Sequence, residues 1–339
     1  MSKNYIMVKV SVIIPIYKVG KYIENSMKSV ASQYFKDFEV ILIDNNTPDD
    51  SIEIAENVLK GTDVNYRVVK QPIQGLPAAR NKGIEEAKGE WIVSIDPDDT
   101  ISSFFLKELY DLATNNGLNV VFSSYDEVSD NLFEFPHEQD TNAVSFFSKE
   151  EILDQLLSRK LPLMVSNMFI NKNYFTSNGF EFDQNVILGA DLLLLWRIMM
   201  ETPRIAVFNK CLYNHYERPD SLMTAPSQKK VDSNLSGYKK QLATFERLTN
   251  KEFAEWIYSR EVYALLSTIS IHGTYDMFKY NIRTYYTNFV YDSLSRFPNK
   301  YIRIMNVFAY RFSAAFYFIN KHIRKPDSVL NKIVRKIVR

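Results

Sequence analysis

Apolar residues come in short, regularly spaced runs through the first half of the chain. Val8 to Ile16 reads Val-Lys-Val-Ser-Val-Ile-Ile-Pro-Ile, which predicts a buried strand, and Pro15 should end its hydrogen-bonding register. Residues 20 to 32 suit a helix with Tyr22, Ile23, Met27, Val30 and Ala31 as its apolar stripe. Phe38 to Ile43 is a second buried strand, ending at Asp44, and Asn45, Asn46, Thr47 and Pro48 are loop residues. Asp49, Asp50 or Ser51 can cap a helix running to about Leu59. Asn65 to Lys70 predicts a third strand, followed by the turn residues Gln71, Pro72 and Gly75. Pro77 opens a helix at its first turn, and Lys88-Gly89 ends it. Trp91 to Ile95 is a fourth strand that stops abruptly at Asp96-Pro97-Asp98-Asp99.

Strands alternating with helices argue for an α/β fold, with a mostly parallel sheet covered by helices on both faces. Leu106 to Ala113 continues as a helix and Asn119 to Ser123 as a fifth strand. Residues 124 to 147 read as an irregular insertion, 149 to 158 and 190 to 201 as helices, and Arg204 to Phe208 and Leu212 to Tyr216 as two strands. From Lys229 onward the pattern is helical, with breaks at Pro298 and Pro326. The boundary falls near residue 226, giving a body of residues 1–226 and a helical region of residues 227–339.

Composition narrows the class. The 339 residues are 46% hydrophobic and 24% charged, a globular balance. The one cysteine, Cys211, excludes an intramolecular disulfide framework and a multi-cysteine zinc site, and fits a reducing cytoplasm. No apolar run approaches the roughly 20 residues of a spanning helix. The first residues lack the apolar core and cleavage site of a signal peptide, so a cytoplasmic protein is expected. The net charge of +1 conceals an asymmetry: residues 301 to 339 carry nine Lys or Arg and one acid, Asp327, and the rest of the chain is net −7. Within 327–339, Val329, Leu330, Ile333, Val334, Ile337 and Val338 form one helical face, and Lys332, Arg335, Lys336 and Arg339 occupy the remainder. Such a basic amphipathic helix suits an anionic membrane surface, which would make the protein peripheral at the inner face of the cell membrane. Residues 301 to 320 carry a second helix with an aromatic face (Phe308, Phe312, Phe316) that should pack on the body. The basic cluster has no accompanying nucleic-acid motif, so no nucleic-acid partner is expected.

The candidate chemistry lies where the fourth strand ends. Side chains two apart on an extended segment share a side, so Asp96 and Asp98 can face one site. Hard oxygen ligands of this kind suit Mg²⁺ or Mn²⁺, often shared with substrate phosphates. The other reading is a solvated turn, since Asp and Pro are ordinary turn residues. In open α/β sheets ligands bind beyond the carboxyl ends of strands, which is where this cluster falls.

Five segments taken in order carry a resemblance. They are Val10 to Tyr17, Phe38 to Asn45, Gly75-Leu76-Pro77-Ala78-Ala79-Arg80-Asn81-Lys82-Gly83, Asp96-Pro97-Asp98-Asp99, and Gly189-Ala190-Asp191 followed by Leu192 to Arg197. Together with Tyr213 to Ser221 they resemble family-2 glycosyltransferases of the GT-A fold, over residues 8 to 221. The resemblance implies metal-dependent, inverting transfer of a sugar from a nucleotide sugar to an acceptor hydroxyl, of the kind that builds bacterial capsule, exopolysaccharide or lipooligosaccharide. It places Pro15 and Tyr17 around the nucleotide base, and Asp44 on the uracil N–H. Arg80 falls at the nucleotide end of the donor, either contacting it or pairing with Asp44 or Asp96 to shape the site. Asp96 falls on the ribose, and Asp98 on Mn²⁺ or Mg²⁺ that neutralises the leaving diphosphate. Asp99 would cap the helix beginning near Ser102. Asp191 matches the base that takes the acceptor proton. His215 would complete the metal shell or contact the diphosphate, and Arg218 and Ser221 would touch the diphosphate from a closing loop that includes Pro219 and Pro226. A UDP-hexose is the implied donor, with galactose or N-acetylgalactosamine as the sugar, and a glycan or lipid-linked saccharide is the implied acceptor. The sequence departs from the pattern at Ala190, where the family usually has Glu near the acceptor. A catalytically impaired glycan- or nucleotide-binding relative is the alternative that this substitution raises. A nucleotidyltransferase is the third class, and it would want a glycine-rich phosphate loop early in the chain. After the first strand Tyr17-Lys18-Val19-Gly20 carries a single glycine.

Overall fold

The computed structural model describes residues 8–129, 144–158, 160–161, 163–216, 227–314 and 316–317. The chain begins β1 (Val10–Ile16), α1 (Ile23–Ala31), β2 (Phe38–Asp44), α2 (Ser51–Lys60), β3 (Asn65–Lys70), α3 (Leu76–Glu86) and β4 (Trp91–Ser94). It continues β5 (Thr100–Ile101), α4 (Phe105–Asn116), β6 (Val120–Val128), β7 (Val144–Ser148), α5 (Lys149–Ser158), β8 (Met168–Asn171), α6 (Lys172–Ser177), α7 (Ala190–Glu201) and β9 (Arg204–Tyr216). Five helices follow: α8 (Gln228–Leu248), α9 (Lys251–His272), α10 (Tyr275–Tyr285), α11 (Asn288–Ser295) and α12 (Lys300–Arg311). The strands form one mixed sheet in the order β3-β2-β1-β4-β8-β6-β9-β5, with β7 also on β9. β3, β2, β1 and β4 are mutually parallel, and β8 enters antiparallel to both β4 and β6.

The pleat of β1 divides the two faces. Val10, Val12, Ile14 and Ile16 are buried in a cluster with Met27 and Val30 of α1, Ala55 and Leu59 of α2, and Phe105 and Leu109 of α4. On the opposite face Ile13 meets α3 so closely that a Cβ on Gly83 would lie 2.2 Å from the Ile13 Cγ2. Glycine at position 83 therefore fixes the depth at which α3 beds on the sheet.

The first four strands and their helices lie where the apolar runs place them. Pro15 does not end β1, which pairs with β2 through Pro15↔Ile43 and Ile16↔Asp44. The Ile95 amide donates to Ile13 O, so odd-numbered residues of β1 face β4, and the Asn45 amide donates to Ile16 O, so even-numbered residues face β2. The missing N–H of Pro15 thus ends the ladder on the β4 side alone.

Two later expectations are corrected. Residues 124–128 are not irregular, because they extend β6 alongside residues 211–216 of β9, and residues 144–148 form β7. Arg204 to Phe208 and Leu212 to Tyr216 are one strand, β9, whose register against β6 shifts around Ser124. β5, β8 and α6 were not anticipated at all; each is six residues or shorter.

By contact the chain divides into two units. One comprises residues 1–184 and 190–218, and the other residues 185–189 and 219–339. In the second unit α9 is packed against α8, α10 and α11, with Ile257, Leu266 and Ile269 among its buried residues. Ser227, Asn250 and Thr274 cap α8, α9 and α10 by accepting amides of the first turn. Residues 185–189 are held by α8. The Ile187 amide donates to Ser233 Oγ at 2.6 Å, and Asn234 Nδ2 donates to Leu188 O at 2.8 Å. Among the described residues no helix is long and apolar enough to cross a membrane.

Candidate active site

The site assembles at the carboxyl ends of β1, β2 and β4, where the sheet's parallel half stops together. Asp44 closes β2 beside Ile16, and its Oδ1 accepts the Thr47 amide at 3.1 Å. Asn45, read in the sequence only as a loop residue, ties the neighbouring loop down. Its Nδ2 donates to Gln71 O and Ile73 O, and its Oδ1 accepts the Gly75 amide at 2.8 Å. Pro15 is buried, whereas the Tyr17 ring is 42% exposed, with Lys18 Nζ 5.3 Å from its centroid.

Arg80 is the centre of the arrangement. Gly75 (φ 134°) turns the chain into α3, Pro77 starts the helix, and Arg80 follows on its buried side. The guanidinium is fully buried and all its nitrogens are used: Nε donates to Ser94 Oγ at 3.2 Å, Nη2 to Asp96 Oδ1 at 2.6 Å and Nη1 to Asp191 Oδ1. Of the two acids expected as partners, Arg80 takes Asp96 and not Asp44, and it adds Asp191, 111 residues away in sequence. Burial alone would lower its pKa, but the two carboxylates outweigh that and drive it above the ordinary arginine value. Asp191, in the first turn of α7, keeps 39% of its side chain open to solvent although protein surrounds it closely, as a recessed group does. That crowding, with Asp96 nearby, pushes its carboxyl up against the pull of Arg80. A raised carboxylate is a better proton acceptor, and Arg80 occupies Oδ1 while leaving Oδ2.

Two further residues cover Arg80. Asn81 Nδ2 donates to Phe182 O at 2.9 Å and Asn81 Oδ1 accepts the Phe182 amide at 3.0 Å. The Phe182 ring lies 5.4 Å from the Arg80 Cζ and is 2% exposed. Sequence reasoning missed both roles. Asn81 lies in the segment from Gly75 to Gly83, but nothing in the sequence pairs it with Phe182.

Asp99 is not the cap of the helix near Ser102. That helix, α4, has Phe104 at its N-cap with no side-chain cap bond. Asp99 is wholly buried and accepts from Tyr213 Oη at 2.5 Å and the Tyr216 amide at 2.9 Å, with His215 Nδ1 at 3.2 Å. β5 and β9 bring them together, since Thr100 pairs with Asn214. Burial pushes the Asp99 carboxyl up. Its hydrogen bond to His215 in turn raises the imidazole to about 9, with Asp96 and Asp98 adding to the effect. Nδ1 is committed to Asp99, so Nε2 is the nitrogen left to face a ligand: as the imidazolium it would donate to a phosphate, and on losing that proton to a bound cation it would be the carboxylate-oriented metal-binding histidine. Asp98 is half-buried near this ring. Among the described residues no three His, Cys, Asp or Glu side chains are grouped to hold a metal by themselves. Asp98 and His215 fit the sparser habit of Mg²⁺ and Mn²⁺, which take one or two protein ligands and share the rest with phosphates and water. The excess of acid fits as well: Asp96, Asp98, Asp99 and Asp191 face Arg80 and His215. Arg218, Ser221 and the loop from Pro219 to Pro226 lie outside the described residues, as does 327–339.

Comparison with known proteins places this geometry. The family described as "Glycosyl transferase family 2" matches residues 11–178. The glycosyltransferase EpsJ of Bacillus subtilis, itself uncharacterized, is 32% identical over 230 residues, covering 67% of this chain and 66% of EpsJ, just under two thirds of that relative. The cholesterol galactosyltransferase of Borreliella burgdorferi is 27% identical over 254 residues, covering 72% of this chain and 68% of the relative. In structure, S. aureus TarS 1-349 in complex with UDP-GlcNAc superimposes with a TM-score of 0.65 at 18% identity, covering 92% of this chain and 90% of TarS. The family match covers β1, β2, β4 and α3 of the site, while α7 and β9 lie beyond it, and the fold extends to TarS: residues 11–178 belong to glycosyl transferase family 2, and the chain has the GT-A fold.

Proposed function

We propose that this chain transfers a hexose from a UDP-sugar to a hydroxyl of a glycan or lipid-linked saccharide, with inversion, in the synthesis of a bacterial surface polysaccharide. The observation that carries this reading is the Arg80 fork, which holds Asp96 of the β4 end and Asp191 of α7 on one guanidinium. A donor-side acid and an acceptor-side base are thereby fixed relative to each other, as a direct displacement requires. Asp191 Oδ2 takes the proton of the attacking hydroxyl, the new bond forms at the anomeric carbon, and the bond to the diphosphate breaks to release UDP. Tyr17 and Pro15 receive the base, Asp44 accepts from the uracil, and Asp96 meets the ribose. Asp98 and His215 Nε2 would hold Mn²⁺ or Mg²⁺, which when bound supplies positive charge to the leaving diphosphate. Arg218 and Ser221 are assigned to the diphosphate on sequence alone. A galactose or N-acetylgalactosamine donor is supported by the galactosyltransferase among the relatives, and the uridine nucleotide by the UDP-GlcNAc bound to TarS. The lipid-linked acceptor accords with the basic stretch 327–339 acting on an anionic membrane surface.

Ala190 favours a second reading, a binding protein without turnover. It is 5% exposed at the start of α7, so it offers no carboxylate to an acceptor. Asp191 is retained, and turnover remains the stronger reading. A panel of UDP-sugars incubated with the protein and Mn²⁺ separates the two. The proposal expects UDP release from at least one sugar, and UDP binding without release from any would establish the second reading.

A further inference from the structure

We propose that Asn81 and Phe182 are positioning residues for transfer: they seal the Arg80 guanidinium so that its fork holds Asp191 in one orientation. This rests on the transferase reading above for its kinetic consequence, but not for its geometry. Arg80 and Asn81 are consecutive in α3 and divide the task. Arg80 turns inward to Ser94, Asp96 and Asp191, while Asn81 turns to the segment that roofs it. The Asn81 amide imitates a strand, giving a donor to Phe182 O and an acceptor to Phe182 N at 2.9 and 3.0 Å. A primary amide offers both from one side chain without titrating. The pair of bonds fixes the Phe182 backbone, and burial holds the ring, whose centroid lies 5.4 Å from the guanidinium carbon.

The physical consequence concerns water. A guanidinium attracts carboxylates more strongly, and in more definite geometry, where the local dielectric is low. The Phe182 ring lies over the Arg80 guanidinium, its centroid 5.4 Å from Cζ, and an aromatic face is itself a favourable neighbour for a cation. With the ring gone, water reaches the fork and Asp191 gains rotational freedom. Asp191 is the partly exposed end of the pair, so its alignment is the first thing lost. Donor binding is shared with Pro15, Tyr17, Asp44 and Asp98, which lie outside the fork, so it should change less than turnover.

The test combines kinetics with an NMR signature in the full chain. With the UDP-sugar that the panel identifies, Phe182→Leu and Asn81→Ala should lower kcat by about 10- to 100-fold, the scale of a small misplacement of a reacting group. The donor KM and the affinity for UDP with Mn²⁺ should change less than about threefold. Phe182→Tyr, which keeps the ring, should restore kcat to within about threefold of wild type. In arginine-labelled protein the Arg80 side-chain protons should show a ring-current displacement and slow exchange with water, both lost in Phe182→Leu and kept in Phe182→Tyr. Equal kcat in wild type and Phe182→Leu, or Arg80 signals that do not respond to Phe182→Leu, would overturn the proposal. So would a kcat loss in Phe182→Leu that Phe182→Tyr shares. If no UDP-sugar is turned over, the transferase reading fails and the NMR arm alone decides whether the seal exists.

Discussion

Two ionic clusters lie at opposite ends of the parallel strands, and α3 contributes to both, through Glu86 O at one and Arg80 at the other. At the amino end, Glu39 accepts from Ser11 Oγ and the Lys88 amide, both at 2.7 Å, and pairs with Arg67. Ser11 in turn accepts the Gly89 amide, and Arg67 donates to Glu86 O at 2.6 Å. One acid meets one base, and almost every polar atom is used inside the protein. At the carboxyl end Arg80 and His215 face Asp96, Asp98, Asp99 and Asp191, and acid remains in excess. Burial raises the Glu39 carboxyl, yet its hydrogen bonds from Ser11, Arg67 and the Lys88 amide prevail and hold it below the ordinary range. For Asp191 burial prevails and the carboxyl moves up. The first cluster is complete as it stands, and the second is arranged for something that arrives. Between them Gly83 rests on Ile13, so α3 connects a structural end to a chemical one.

The comparison is broken most severely at its centre. Arg80→Ala leaves two recessed carboxylates facing each other without their cation. It should cost about 3–5 kcal/mol in urea unfolding and abolish transfer. Arg67→Ala, at the partly exposed amino end, should cost less and leave kcat intact. Next in size is the cation. Saturating Mn²⁺ and UDP at about 100 times their dissociation constant should stabilise wild type by about 2.7 kcal/mol, read as a rise in Tm. Asp98→Ala and His215→Ala should lose most of that rise, and an unchanged rise in both would remove them from the metal site. Gly83→Ala forces a methyl into Ile13 and should destabilise by about 1–3 kcal/mol, with the kcat of the folded enzyme reduced because α3 carries Arg80.

The smallest effect is the most diagnostic of the amino end. Glu39 has a lowered folded pKa, so its charge contributes stability above its ordinary value of 4.5, and this contribution fades as pH falls through the lower folded value. Glu39→Gln should therefore be less stable than wild type by about 1 kcal/mol at pH 7, with the gap closing below pH 4.5. A gap that widened on acidification would contradict this account of the amino-end cluster.

Much of this was legible in the sequence, and the reasons differ by element. The strands β1 to β4 announce themselves because parallel strands covered on both faces are continuous apolar runs. Helices α3 and α7 were placed by Pro77 and by periodicity, while Arg80 and Asp191 stood out on them through the resemblance to family-2 glycosyltransferases. What the sequence withheld depends on distant partners. β6 beyond Ser123 looks irregular because Tyr125, Asp126 and Glu127 are polar, and only β9 beside them makes them a strand. Asp99 looks like a cap because Asp commonly is one. Its burial beside Tyr213 and His215 arises from β5, two residues long and invisible to any periodicity. Asn45 was read as a loop residue and Asn81 carried no reading of its own, yet both hold backbone that lies far along the chain or in another loop.

On the reading proposed above, the acid excess at the carboxyl end performs sugar transfer, with Asp191 as the proton acceptor. The most direct measurement is the rate of UDP release from the UDP-sugar panel by wild type and Asp191→Asn, alongside their affinities for UDP with Mn²⁺. The account predicts UDP release by wild type, about 10²- to 10⁴-fold slower release by Asp191→Asn, and equal UDP affinity in the two. Equal rates in both proteins, or no release by wild type from any UDP-sugar, would contradict it.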